Sequence, residues 1–400
     1  MVSRTSRKLR MGMVGGGEGA FIGAVHRMAA AMDGQIELVC GAFSGQPEVS
    51  RRSGEELFLP AARVYDDYSE MMAAEAALAE NLRMDFVSIV TPNHLHLPVA
   101  LSALEHGFHV MSEKPATFSL AEALTLRDKL SGCDRIYGLA HTYNGYPMVK
   151  EARERVLAGE LGRIRKIVVE YSQGWLADRE EERPENRQAA WRLDPSRSGV
   201  SCCIGDIGVH AFNLAEYITG LRVTELCADL GHVVPGRILD DDASVLLRFE
   251  NEARGVLIAS QISVGDENDL RIRVYGDLGA LDWTQGDANS LFLKSNQQPE
   301  RRLRTAGPGT SELSRAHTRT PAGHPEGYLE AFANLYRQFA EQLRGKLEMR
   351  EPAPWSRDLA GIDEAIRGLA FIEETVAASE SSVKWHALRT LDRLFDEDRN

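Results

Sequence analysis

A chain of 400 residues, 43% hydrophobic and 26% charged, has the make-up of a globular protein of two or three domains rather than a disordered one. Its 59 acidic residues outnumber 46 basic ones, for a formal net charge of −13; with no basic patch interleaved with aromatics, nucleic acid is excluded as a main partner. No run approaches roughly 18 apolar residues, which excludes a membrane span, and five cysteines without a C-x-x-C pair, behind a basic N-terminus that makes a poor signal peptide, point to free thiols in a reducing cytoplasm.

In chain order, residues 9–14 read as a strand, followed by a glycine cluster and a helix over 21–32. A second strand spans 36–43, a helix 50–57 and a short extended run 62–64. Residues 85–90 make a strongly apolar strand, and a helix follows from about 97 to 106. Residues 108–111 form another strand, 119–130 a helix with Ser119 as its N-cap, and 136–140 one more strand. Strands alternating with helices predict right-handed βαβ units and a parallel, doubly wound sheet.

The character changes near residue 150. Residues 149–157 read as a helix, 164–171 as a strand with one exposed face, 174–199 as a polar loop, and 207–217 as a helix. Strand-like runs at 223–230, 243–249, 253–263, 270–275 and 279–284, joined by short turns, predict a mostly antiparallel sheet. Residues 301–323 read as a polar mobile loop, and 327–343 and 356–379 as helices. The expected division is a dinucleotide-binding domain over 1–145 and a second domain over 146–400.

The segment Gly15-Gly16-Gly17-Glu18-Gly19-Ala20-Phe21 follows a strand and opens a helix, which is the context a dinucleotide fingerprint requires. Gly15, Gly17 and Ala20 fit G-x-G-x-x-A, while Gly19 and Gly23 leave the register open. Glycines let the backbone turn and approach a pyrophosphate, and the helix N-terminus supplies N–H groups. Gly15, Gly17, Gly19, Ala20 and Phe21 are therefore expected to bind the cofactor. The second strand ends Cys40-Gly41-Ala42-Phe43-Ser44-Gly45, without the acid that binds the ribose hydroxyls of NAD. Ser44, with Arg51 or Arg52, offers a place for a 2′-phosphate, which leans the choice between NAD and NADP toward NADP; the competing reading of the two arginines is an exposed helix face.

Five segments in order within about residues 12–285 resemble the Gfo/Idh/MocA family of NAD(P)-dependent oxidoreductases. They are the glycine turn, Thr91-Pro92-Asn93-His94-Leu95-His96, Ser112-Glu113-Lys114-Pro115, Trp191-Arg192 with Asp194-Pro195, and Gly205-Asp206-Ile207-Gly208-Val209-His210. The resemblance implies an N-terminal Rossmann domain and a C-terminal α+β domain with a large, mostly antiparallel open sheet, which often forms the interface of a homo-dimer or homo-tetramer. It implies catalytic roles for Lys114, Asp206 and His210. It also implies cofactor contacts from Thr91, Asn93, His96, Glu113, Lys114, Trp191 and Arg192, and a sugar, inositol or related polyol as substrate.

That chemistry suits these residue types. Oxidising a secondary alcohol sends a hydride to the nicotinamide and a proton to a base within hydrogen-bond reach, and histidine titrates near neutrality. Asp206 and His210, four apart, share one helix face; Asp206 binds substrate hydroxyls or orients the imidazole. Lys114, at the carboxyl end of a parallel strand, stabilises alkoxide charge or shuttles the proton, and whether it or His210 is the base stays open. His141 and Tyr143 at the end of the last Rossmann strand, Arg192, and His324 in a polar loop complete the expected substrate contacts. His94 and His96 form an H-x-H pair without a further ligand, so no metal is expected, and Asp240-Asp241-Asp242 reads as a solvated turn. The alternatives to a dehydrogenase are a non-catalytic nucleotide-binding regulator and a hydrolase with tightly bound NAD.

Overall fold

Runs of apolar residues with no polar face need cover on both sides, and the first five strands are of this kind. In the computed structural model, which describes residues 7–184 and 186–388, they are β1 (Leu9–Gly15), β2 (Ile36–Ala42), β3 (Phe86–Val90), β4 (His109–Ser112) and β5 (Tyr137–Leu139). They form a parallel sheet in the order β2-β1-β3-β4-β5. All five residues of β3 are buried. The short extended run seen in the sequence survives as a single parallel bridge from Val64 to Gly41, outside β2. Counting that bridge as a strand, the order is 3-2-1-4-5-6, that of a dinucleotide-binding Rossmann sheet. Ser119 caps the Leu120–Ser131 helix as predicted, its Oγ accepting from the Glu122 N–H.

The described chain divides into two units. One runs up to Thr142 and takes in Tyr328–Ala365; the other holds Tyr143–Gly327 and the residues from Ile366 onward. The long Tyr328–Leu347 helix therefore lies in the first unit, not in the second domain where the sequence reading put it. The reason is its apolar face. Phe332, Tyr336 and Phe339 are fully buried in one cluster with Leu9, Met11, Met13 and Phe86 of the parallel sheet, and a 20-residue amphipathic helix buries that face wherever a sheet lacks cover.

The second unit is built on nine strands: β6 (Ile164–Ser172), β7 (Val223–Gly231), β8 (Asp242–Phe249), β9 (Arg254–Ser260), β10 (Asp269–Gly276), β11 (Ala280–Thr284), β12 (Ser290–Lys294), β13 (Arg301–Arg304) and β14 (His386–Ala387). Their order is β13-β12-β11-β10-β6-β9-β8-β7-β14. Only β6 and β9 pair in parallel; the other seven pairings are antiparallel. Buried and exposed residues alternate along β8 and β10, as expected of a sheet with one covered face.

Three expectations change here. Residues 301–323 are not one loop: they contain β13 and the Glu312–Ala316 helix, whose N-cap Ser311 accepts from Ser314 N–H. The cations of β13 hid its strand character; Arg302 bonds Asp287 and Ser290, and so the strand is paid for by contacts no local pattern shows. Within 174–199 lie two short helices, Arg187–Arg192 and Pro195–Ser198, the latter capped by Asp194. The helix expected over 207–217 begins earlier, as a π-helical turn over Ile204–Gly208 that runs into the Val209–Thr219 helix.

Candidate active site

In the first unit, the candidate residues sit at or just beyond the carboxyl ends of β1 to β5. The chain leaves β1 through Gly15, Gly16 and Gly19 with φ of 83°, 72° and 77°, the left-handed region that glycine enters without strain. A Cβ on Gly17 would lie 2.6 Å from Ser53 Oγ and 2.9 Å from the Phe43 carbonyl. A Cβ on Gly23 would collide with the Cα and carbonyl of Gly16, so Gly23 supplies the close helix–strand approach that the sequence left between two registers. The Phe21–Met32 helix starts from Ala20, which cannot cap it, and its first turn holds no acid. Its N–H groups and positive end are left for an anion. The turn thus fits a dinucleotide pyrophosphate. Phe21 itself stands exposed at the helix start.

At the end of β2, Ser44 Oγ accepts from the Gln46 N–H. Arg51 pairs with Asp66 at 3.0 Å and Arg52 with Glu18 at 2.9 Å, all four well exposed. Beyond β3, Thr91 Oγ1 is buried with no hydrogen-bond partner among the described residues, and Asn93 is buried beside it in sequence. His96 is buried at the start of the His96–Glu105 helix, its Nε2 2.8 Å from the Thr91 carbonyl and its Nδ1 2.6 Å from that of Pro115. It ties the loop after β3 to the loop after β4, and burial holds its pKa below the ordinary value.

Beyond β4, Glu113 is buried and Lys114 half-buried. Burial alone would raise the Glu113 pKa, but His26, Lys114 and the Lys114 N–H bring it below the usual carboxylate value. Both carboxylate oxygens are engaged: Oε1 lies 2.7 Å from His26 Nε2, and Oε2 accepts the Lys114 N–H at 3.1 Å. His141 is fully enclosed, and burial, with the charge of Lys114 behind it, pushes its pKa down to about 3, so it serves at neutral pH as an uncharged imidazole.

In the second unit, Asp206 lies in the π-helical turn and His210 in the first turn of the Val209–Thr219 helix. The π turn alters the simple one-face spacing that four residues imply. Asp206 Oδ2 accepts from Gln261 Nε2 at 3.0 Å and pairs with Arg192 Nε at 3.1 Å. Arg192 in turn lies over the Trp191 ring, 4.4 Å from its centroid. The His210 ring meets Tyr143 edge-on at 5.0 Å. Tyr143 is buried and bonds the hydroxyl of Tyr171, which donates to Asn268 at 3.1 Å. His324 is exposed, its Nδ1 3.2 Å from the Pro321 carbonyl.

The solvated-turn reading of Asp240-Asp241-Asp242 is overturned. Asp240 and Asp241 are 2% and 0% exposed. Asp240 accepts the N–H groups of Cys202 and Ile204, both at 2.8 Å, at the start of the segment that carries Asp206. Asp241 accepts from Val233 and Val234 and faces Arg237 at 3.3 Å. Asp240 is buried because backbone donors more than 30 residues away in sequence meet it, a pairing no local pattern reveals, and Asp241 because the turn just before it folds back to donate. Sequence reasoning also missed His26, Tyr336 and Tyr171, each a polar residue in an otherwise ordinary helix or strand, and Gln261, just past the end of β9. Among the described residues, no group of three or more His, Cys, Asp or Glu is arranged to hold a metal, and no helix is long and apolar enough to cross a membrane.

A Rossmann sheet whose glycine turn opens onto an uncapped helix defines the class: a dinucleotide-binding oxidoreductase. Residues 9–141 match the model of the oxidoreductase family with an NAD-binding Rossmann fold, and residues 149–282 match the GFO/IDH/MocA C-terminal domain. Over 383 residues the chain is 32% identical to the uncharacterized oxidoreductase YfiI of Bacillus subtilis, covering 95% of this chain and 97% of that protein. The chain belongs to the Gfo/Idh/MocA family and is an NAD-binding oxidoreductase. It is similar in structure to an inositol dehydrogenase homolog of Azotobacter vinelandii complexed with NAD+, with 31% identity, a TM-score of 0.89 and coverage of 96% of this chain and 98% of that one. The same homolog has also been solved with NADH and myo-inositol, at 30% identity and a TM-score of 0.86, covering 96% of this chain and 98% of that one. Levoglucosan dehydrogenase of Pseudarthrobacter phenanthrenivorans is 26% identical over 328 residues, 76% of this chain and 81% of that enzyme.

Proposed function

We propose that this oxidoreductase is a dehydrogenase for a sugar, an inositol or a related polyol, and that it uses NAD. The observation that carries the reading is the polar set of the second unit: Asp206 paired with Arg192, and His210 four residues on in the first turn of the next helix. Such donors and acceptors suit a hydroxyl-rich ligand. Relatives named for inositol and levoglucosan support the same class. The nicotinamide, when bound, takes up or gives back the hydride. The chain's own residues handle the proton and the charge. Lys114 carries an ammonium toward a developing alkoxide. His210 is placed by the Tyr143 ring and accepts or returns the hydroxyl proton. Asp206, fixed by Gln261 and Arg192, takes substrate hydroxyls or orients the imidazole.

The lean toward NADP rested on Ser44, Arg51 and Arg52. Both arginines already have carboxylate partners, which withdraws that support, and NAD is the form we infer. The reading extends to a homo-dimer or homo-tetramer in the cytoplasm; the five cysteines are free thiols, as a reducing compartment favours.

The test is a titration of NAD, NADH, NADP and NADPH followed by tryptophan fluorescence, then a sugar and polyol panel read at the nicotinamide absorbance. NAD(H) is expected to bind more tightly than NADP(H), and Lys114→Ala to lower turnover by about 10² or more while cofactor binding persists. Cofactor binding with no turnover across the panel defeats the polyol reading, and tighter binding of NADP defeats the cofactor choice.

A further inference from the structure

The amino ends of β3, β4 and β5, the edge of the parallel sheet away from the glycine turn, border a cavity of about 540 Å³. That volume lies in the range of small-molecule sites. Its apolar lining includes Met84, Phe108, Leu343 and Leu347. All of its lining residues belong to the first unit.

The charges around it do not cancel. Asp85 is already matched: its two oxygens take N–H groups of the Arg7 guanidinium, each at 2.7 Å, and Oδ2 also accepts the Arg10 backbone N–H at 2.7 Å. Glu80 lines the cavity from an exposed position. Against it stand two guanidiniums with donors unengaged. Half-buried Arg83 has no hydrogen bond or ion pair among the described residues. Arg135 gives one N–H, from Nη1 to the Asp134 carbonyl at 3.1 Å. Its Nη2 lies across the turn before β4, 3.3 Å from where a Cβ on Gly107 would stand.

His109, at the start of β4, supplies a third donor. It lines the cavity and is 6% exposed. Its Nδ1 accepts the Ile136 N–H at 2.9 Å, so the neutral ring carries its proton on Nε2. That N–H meets no acceptor among the described residues, and a buried donor without one is costly. The charged groups that act on the ring are Arg135, Lys346, Asp85 and Asp134; burial first, and then the two cations, hold its pKa down to about 4. Lys346 is itself tied to Asp134. A negative ligand would satisfy the orphan donor and both guanidiniums at once.

We propose that this cavity is a second ligand site, for a small organic anion: a carboxylate or phosphate head held by Arg83, Arg135 and His109 Nε2–H, with an apolar body against Leu343 and Leu347. The site is separate from the candidate active site. The four-residue strand β4 stands between His109 and the Glu113-Lys114 segment, and the proposal holds whatever the substrate.

His109 reports on its own site. In protein carrying 13C-labelled histidine, the His109 ring signal is assigned by its loss in His109→Asn. Its pH titration is followed with and without sulfate, which keeps the same charge throughout. Sodium chloride at matched ionic strength measures screening alone. Sulfate is expected to raise the His109 pKa from about 4 toward its ordinary value, and therefore to bind about threefold tighter at pH 5 than at pH 7. Phenyl phosphate and benzoate share a ring and differ in head; either order of affinity supports the site and assigns the head, and the ring should bind more tightly than the corresponding inorganic ion. Arg83→Gln and Arg135→Gln are each expected to weaken the better of the two about tenfold, with melting temperature and NAD affinity as controls for folding. A His109 signal that these anions move no more than sodium chloride does overturns the proposal. So do Arg83→Gln and Arg135→Gln variants that both bind like wild type.

Discussion

The residues that carry chemistry in the two units are held in opposite ways. In the first unit, Glu113 and Lys114 stand at the end of a parallel strand, over a continuous chain of short polar contacts through His26 and Tyr336. In the second, Asp206 sits in a π-helical turn braced by one amide and one guanidinium, and His210 leans on the faces and edges of tyrosines. The first arrangement follows from the sheet, since strand ends gather their side chains at one edge. The second depends on a distant turn: Asp240 holds the backbone from which Asp206 projects. A site on strand ends is robust to local change, whereas a site on a braced turn depends on side chains that can be removed one at a time.

Three substitutions test that contrast. The largest effect belongs to Asp240→Ala, which strips the acceptor from two buried N–H groups, those of Cys202 and Ile204. At about 1–3 kcal/mol for each unsatisfied buried donor, a loss of about 3 kcal/mol is expected in a urea titration. Turnover should fall with it while NAD affinity holds; lost NAD affinity with intact turnover would reverse the contrast. Gly23→Ala comes next. Its methyl group has no space against Gly16, and forcing a methyl into such a contact costs about 1–3 kcal/mol. NAD affinity should drop here, and a variant that binds NAD like wild type would show that the glycine turn is not the pyrophosphate seat.

The smallest effect is one of pH. Burial, reinforced by the charges of Arg135 and Lys346, pushes the His109 pKa from 6.5 down to about 4. The folded state thus binds fewer protons than the unfolded state between those values. Stability is complete above about pH 6.5 and falls as pH drops toward 4. At about 1.4 kcal/mol per pH unit, acidification from 6.5 to 5 removes up to about 2 kcal/mol through this group. His109 Nδ1 accepts the Ile136 N–H, and asparagine can keep that acceptor. His109→Asn should therefore flatten the dependence of the urea midpoint on pH; an unchanged slope would mean that another group controls it.

The contrast also explains what could be read from the chain. The Rossmann sheet, the glycine turn, the Ser119 cap and the family's segments were legible because each depends on residues within a few positions of one another. β13, the Tyr328–Leu347 helix in the first unit, and the buried Asp240 were not. Each draws its stability from partners far along the chain: Arg302 on Asp287, Phe332 on the parallel sheet, Asp240 on the Cys202 and Ile204 N–H groups. Of the candidate site residues, His26 and Tyr336 were invisible for the same reason. Three hundred and ten residues separate them, yet one hydrogen bond joins them.

That separation bears on how the molecule is made. The first unit is not a contiguous piece of chain, so a ribosome finishing residue 142 has delivered its strands but not the helix that covers them. The sheet's apolar face, with Leu9, Met11 and Phe86, waits for Phe332, Tyr336 and Phe339 to be synthesised. At roughly 5–20 residues per second, that wait lasts on the order of ten seconds or more. For that interval the nascent sheet is a client for chaperones, and a gene fragment cut after the Rossmann strands would carry the same exposed face permanently.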